Sequence, residues 1–126
     1  MKPLHLLAAA ILFFNAAVAH ALEITPYTAN ALEDAQKAGL PTALHFYADW
    51  CPICRAQEKV LNNLKNDKSL NLTVLVVNYD KEKDLRKKLN VRTQSTLIVY
   101  KGRIEKARLA GETAPEKIKA ALASAL

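Results

Sequence analysis

Cysteine and histidine are scarce in this chain, with two of the first and three of the second among 126 residues. Two cysteines fall short of the four ligands of a closed structural zinc site. Two of the histidines, His5 and His20, lie in an N-terminal leader, so His45 alone is left to the rest of the chain. No long linker or low-complexity stretch interrupts the sequence, and nothing in it suggests two domains. The apolar run at the N-terminus is shorter than the roughly 20 residues a helix needs to span a bilayer, which argues against a membrane anchor. No cysteine sits near the end of that run to take a lipid, so the product is expected to be soluble.

What is there begins with a positive start, Met1-Lys2, and an apolar stretch from Leu4 to Val18 broken only by His5 and Asn15. It ends in Ala19-His20-Ala21, a small-x-small cleavage pattern. Residues 1–21 are therefore expected to be a signal peptide cleaved after Ala21. Residues 22–126 are expected to form one compact domain with one core. The formal net charge of +6 falls by one unit with Lys2. The densest basic cluster, Lys81 to Lys88, includes Glu82 and Asp84 and flanks Leu85 and Leu89, so it reads as a solvated helix face and no nucleic-acid partner is expected.

Strand and helix patterns alternate along residues 22–126. A short apolar start at Leu22 to Ile24 precedes a helix expected from Thr28 to Ala38, stopped by Gly39 and Pro41. Thr42 to Ala48 reads as a buried strand, and Cys51 to Lys65 as a helix whose Ile53, Ala56, Val60 and Leu64 share one face. Leu72 to Val77 is almost continuously apolar, which suits a central strand with helices packed on each face of its sheet. Asp80 is expected to cap a short helix running through Leu89. Thr96 to Tyr100 and Arg103 to Leu109 are two further strands joined at Lys101-Gly102 in an antiparallel hairpin. Thr113-x-x-Glu116 matches a capping box for a last helix with Ile118, Ala121, Leu122 and Ala125 on its buried face. The expected order is β-α-β-α-β-α-β-β-α, an α/β fold.

Both cysteines follow the leader, and export would carry them to an oxidising compartment where they can pair. A Cys51–Cys54 bridge closes a four-residue loop, worth only roughly 2 kcal/mol by chain entropy, so it is poorly placed as a stabiliser. Reversible redox chemistry explains the pair better.

The segment Phe46-Tyr47-Ala48-Asp49-Trp50-Cys51-Pro52-Ile53-Cys54 resembles the active-site strand and turn of the thioredoxin family. Counting on from Cys51, Asn78-Tyr79-Asp80 falls where thioredoxins end their central strand. Ser95-Thr96 falls where they carry a cis-proline and threonine, and Gly111 where a late glycine sits. The resemblance covers nearly all of residues 22–126. It implies a thioredoxin fold, with a central mixed β-sheet flanked by helices on both faces, and thiol-disulfide exchange at Cys51 and Cys54 with no cofactor and no metal. Cys51, at a helix N-terminus among unpaired amides and the positive dipole end, is expected to be the exposed nucleophile with a lowered pKa. Cys54, one turn further in, is expected to be the buried resolving thiol.

Around them, Trp50, Pro52, Gln94 and Ser95 are candidate substrate-binding residues. Pro52 suits the first helical turn because its missing N–H has no partner there, which helix-start punctuation alone would also explain. Trp50 is similar to the tryptophan that shields the family's site, with a half-buried core aromatic as the other reading. Two positions depart from the family. His45 stands where thioredoxins bury an aspartate, and is either a catalytic general base for Cys54 or a strand histidine satisfied by hydrogen bonds. Ser95 replaces the cis-proline. A cis bond before serine costs about 2.5 to 4 kcal/mol, so Gln94-Ser95 is expected to be trans, with a freed N–H and a hydroxyl that could donate to the Cys51 thiolate or make room for a metal.

The resemblance to thioredoxins and to the periplasmic domains of thiol-disulfide transporters implies a periplasmic, monomeric reductase of protein disulfides. Since that compartment holds no free reductant, a membrane thiol-disulfide electron donor is expected to recharge it. Two rivals use the same residues. One is a dithiol oxidase, because Pro52-Ile53 is not the family's Gly-Pro. The other is a non-catalytic metal-binding or carrier protein with Cys51 and Cys54 as soft ligands and His45 or Ser95 nearby.

Overall fold

A computed structural model describes residues 11–12 and 21–126. The leader expected at residues 1–21 lies outside the described residues apart from Ile11, Leu12 and Ala21. Among the described residues, no helix is long and apolar enough to cross a membrane.

Two apolar runs become neighbouring inner strands. β2 (Pro41–Tyr47) pairs in parallel with β3 (Thr73–Asn78), and both are covered on each side, which is why their sequences lack the alternation of a half-exposed strand. β1 (Glu23–Pro26) adds in parallel beyond β3. β4 (Thr96–Lys101) runs antiparallel on the other side of β2, and β5 (Ile104–Ala110) closes that edge. The sheet order is β1-β3-β2-β4-β5. The helices α1 (Ala29–Lys37), α2 (Pro52–Asn63) and α3 (Lys83–Lys88) fall between the strands and α4 (Pro115–Ala123) follows β5, in the expected order.

The period of two along each strand divides the core between the faces. Ala43, Val74, Leu97 and Val99 point to one face, where Leu61 of α2 and Ile118 and Leu122 of α4 meet them. Leu44, Phe46, Leu75, Val77 and Ile98 point to the other, against Leu32 of α1 and Leu85 of α3. The sheet is thus a mixed one with helices on both faces.

The β4–β5 turn is made by Gly102 and Arg103, since Lys101 still pairs with Ile104. Gly102 has φ +57, and a Cβ there would lie 3.2 Å from the Gly39 Cα, so both backbone sign and space call for glycine.

Three local expectations are corrected. Asp80 does not cap α3, which starts at Lys83 after Glu82. Instead the Asn78 side chain takes the Asp80 and Lys81 amides, each at 3.1 Å, and carries the chain past a helical start. Thr113 is not a cap either. Pro115 occupies the first turn of α4, which moves the cap to Ala114, and the Glu112 carboxylate accepts the Ala114 amide at 3.0 Å. On α2 the buried side chains are Cys54, Gln57 and Leu61, while Ile53 and Ala56 are exposed and Val60 and Leu64 only border the core. The inward face is rotated from the apolar stripe because a polar residue, Gln57, lies at its centre.

Candidate active site

β2 delivers the site. Its last residues lead through Ala48, Asp49 and Trp50 into α2, and the turn is closed by the Cys51 amide donating to Ala48 O at 3.0 Å. Cys51 is the N-cap of α2, in extended conformation, and Pro52 follows within the first turn, where its lack of an N–H costs nothing. The Cys54 amide donates to Cys51 Sγ at 3.1 Å. A sulfur has taken the place that a serine or aspartate oxygen holds in other helix caps, and a charged sulfur accepts such a bond more strongly than a neutral one.

Both cysteines are free thiols. Cys54 is fully buried, as expected of a resolving thiol, and its Sγ faces Phe46 O at 3.8 Å. Its pKa is pushed up to about 11, first by burial and then by its hydrogen bond with Cys51, against the pull of the Ala48 and Ser95 backbone. Cys51 is only 1% exposed, which corrects the expectation of an open nucleophile. The N-cap position turns the side chain back over its own helix, so it packs with Ala48 and Cys54 beside Tyr47 and Tyr79. What the turn does present is Trp50, 57% exposed, with Pro52 and Ile53 beside the buried sulfur. The Trp50 indole is held by donating to the Asp80 carboxylate at 2.9 Å. This gives Asp80 a role that its sequence position did not suggest.

Ser95 faces this turn from the start of β4. The peptide bond before it is trans, since the described residues contain no cis bond, and Ser95 itself takes the left-handed conformation with φ +61. Its amide is not left over, because it donates to Phe46 O at 2.9 Å. Its hydroxyl donates to Gln94 O and not to Cys51. The carbonyl of Ser95 accepts from the Gly111 amide at 3.0 Å and from Gln57 Nε2 at 2.9 Å. Gln94 is half-buried, its side chain in contact with the Thr93 hydroxyl at 3.4 Å.

His45 points to the α2 side of β2 and is buried. Its Nε2 bonds to Gln57 Oε1 at 2.9 Å, and its ring meets Tyr47 edge-on with centroids 5.9 Å apart. Gln57 is thus the hydrogen-bond partner of this strand histidine at Nε2. Burial holds the imidazole below its ordinary pKa, while the Gln57 bond works in the opposite sense. An unfolded chain would bind a proton on His45 below about pH 6.5 where the folded one resists it, so stability is expected to fall as pH drops below that value and to be insensitive to His45 above it. Unfolding midpoints of wild type and His45→Gln between about pH 7.5 and 5 check this. Equal slopes in the two proteins would assign the acid sensitivity elsewhere.

The sequence reading missed Gln57. The available signal was its spacing: three residues after Cys54 on one helix, it had to share that inward face. Among the described residues no cluster of three or more Cys, His, Asp or Glu side chains is placed to hold a metal ion.

A family model for thioredoxin matches residues 24–124. The thioredoxin of Pseudomonas aeruginosa is 31% identical over 87 residues, 68% of this chain and 79% of that protein. That of Rickettsia bellii is 28% identical over 69 residues, 55% of this chain and 66% of its own length. Among solved structures, Trxlp of Edwardsiella tarda superposes with a TM-score of 0.75 at 38% identity, covering 79% of this chain and 98% of that one.

Proposed function

This chain belongs to the thioredoxin family, whose members are thiol-disulfide oxidoreductases, and we propose that it is a periplasmic reductase of disulfides in exported proteins. The observation that carries the exchange reading is the stacked dithiol at the head of α2, with the Cys54 amide on Cys51 Sγ and the Cys54 thiol beneath.

The Cys51 thiolate attacks one sulfur of a substrate disulfide. That S–S bond breaks, the other substrate sulfur leaves as a thiolate, and a mixed disulfide forms. Cys54, protonated until then because its pKa lies far above neutral, gives up its proton as it attacks Cys51 Sγ. The Cys51–Cys54 bridge forms and the second substrate thiolate leaves, so two electrons pass from protein to substrate. In this reading His45 receives the Cys54 proton. With Nε2 engaged by Gln57, the accepting nitrogen is Nδ1. The gap in proton affinity between a depressed imidazole and a raised thiol closes only as the Cys54 sulfur bonds to Cys51, so transfer accompanies attack.

Because Cys51 is covered, an incoming polypeptide has to displace its cover, and the exposed Trp50 and Ile53 with the Ser95 loop are the surfaces it meets first. The leader expected from the Ala19-His20-Ala21 cleavage pattern supports the periplasmic part of this reading, in which the protein acts as a monomer and a membrane thiol-disulfide donor supplies the electrons. The carrier reading loses support at Ser95, whose hydroxyl is engaged by Gln94 O, while His45 is engaged at Nε2 alone.

Equilibration of residues 22–126 in graded glutathione buffers tests the direction. A potential near the roughly −270 mV of thioredoxin is expected, and one near −120 mV would make the protein an oxidase.

A further inference from the structure

We propose that Gln57 is a positioning residue for the exchange reaction, its carboxamide clamping the Ser95 loop to the helix that carries both sulfurs while fixing the tautomer of His45. The inference rests on the exchange reading of the site.

Gln57 is 1% exposed, and both polar atoms of its side chain are hydrogen-bonded. Nε2 lies 2.9 Å from Ser95 O and 3.0 Å from Glu112 O, and Oε1 lies 2.9 Å from His45 Nε2. The two backbone carbonyls can only accept, so the atom facing them must be the NH2 group. The atom facing His45 is then the oxygen, which can only accept in turn. His45 therefore carries its hydrogen on Nε2, and Nδ1 has the lone pair. Neither assignment can be reversed alone: a flipped amide would set its oxygen against two carbonyl oxygens.

The mechanical consequence follows from which elements are joined. The Ser95 amide donates to Phe46 O and its carbonyl accepts from the Gly111 amide, both backbone to backbone. The Gln57 bond to the Ser95 carbonyl comes from α2, three residues beyond Cys54. The same amide reaches Glu112, whose carboxylate accepts the Ala114 amide at the entry to α4. One side chain thus registers the sulfur-bearing helix against the loop facing it. Loosening this register should weaken binding of a polypeptide substrate more than the sulfur chemistry itself.

Ring nitrogen NMR of the reduced wild-type protein needs no substitution and no activity. At neutral pH His45 is expected to be a neutral ring with its hydrogen on Nε2. A hydrogen on Nδ1, or a charged ring, would overturn the assignment. Gln57→Met keeps the volume and removes all three bonds. It is expected to raise KM for a protein disulfide about fivefold, the size of one neutral hydrogen bond, with a smaller change in kcat and a redistributed His45 tautomer. An unchanged KM, or a fall in kcat alone, would overturn the positioning role. Should the methionine variant not fold, Gln57→Asn, a methylene too short to reach both the ring and the carbonyls, should give the same split. Wild-type protein that exchanged no disulfide would sink the exchange reading and leave the tautomer result standing, so the two failures are distinct.

Discussion

Cys51→Ser is expected to abolish disulfide reduction, leaving only the background rate of the reductant in the assay. A serine oxygen cannot form the mixed disulfide that the first step requires, and its proton is held far more tightly than a thiol's. The fold should survive, because serine is a good N-cap and can accept the Cys54 amide as Cys51 Sγ does at 3.1 Å. Loss of activity with retained stability would therefore be a statement about chemistry. Cys54→Ser should behave differently. The first step remains, the second is lost, and a covalent complex between Cys51 and the substrate should accumulate and be visible on a non-reducing gel. Exchange by Cys51→Ser at the wild-type rate would refute the assignment of the nucleophile. A Cys54→Ser protein that turned over without trapping substrate would remove Cys54 from the reaction.

The burial of Cys51 sharpens this prediction. At 1% exposure the sulfur cannot be reached by a large partner without some movement of the turn from Asp49 to Ile53. That turn is fastened by the Cys51 amide on Ala48 O and by the Arg55 guanidinium on Asp49 O at 2.7 Å. The neighbouring indole is tied to Asp80. These bonds are few and close to the surface, which suits a segment that opens to admit a chain and closes over the bridge afterwards.

The order of strands and helices was legible because it is written in local terms: apolar runs of the right length, glycine and proline between them, and the faces of α4 repeating at helical spacing. The placement of Cys51 and Cys54 at the head of α2 was legible for the same reason. What was not legible is tertiary. The inward face of α2 could not be read from hydrophobicity, because Gln57 sits at its centre and Ile53 outside it. A buried glutamine is stable only where three partners from distant segments satisfy it, and none of His45, Ser95 and Glu112 announces that in sequence. Asp80 was misread for a similar reason. Its carboxylate had a local use as a cap and a distant use on Trp50, and the distant one prevailed. Cys51 was expected in the open because reactive cysteines are reached by their substrates, whereas capping geometry folds its side chain over the helix.

Ser95 is the residue whose conformation departs furthest from its sequence, and the largest stability effect is expected there. A left-handed φ of +61 costs a non-glycine residue on the order of 1–2 kcal/mol, and it persists because the Ser95 amide and carbonyl are both fastened, to Phe46 O and by Gly111 and Gln57. Ser95→Pro, the residue that thioredoxins carry at this place, meets that geometry with a ring fixed near φ −65 and no N–H to give Phe46 O. It is expected to destabilise by about 3 kcal/mol or more, lowering the thermal midpoint by well over about 10 °C. Ser95→Gly accepts the left-handed conformation freely and keeps the amide, so relief of strain and the extra freedom of the unfolded chain should cancel to within about 1 kcal/mol. Thermal unfolding of the three proteins in their reduced form decides the matter. Proline below serine, with glycine level, means the chain has built the loop beside its two cysteines on a left-handed residue. Proline level with serine or above it would mean that Phe46 O and Gln57 do not hold Ser95 in this conformation in solution.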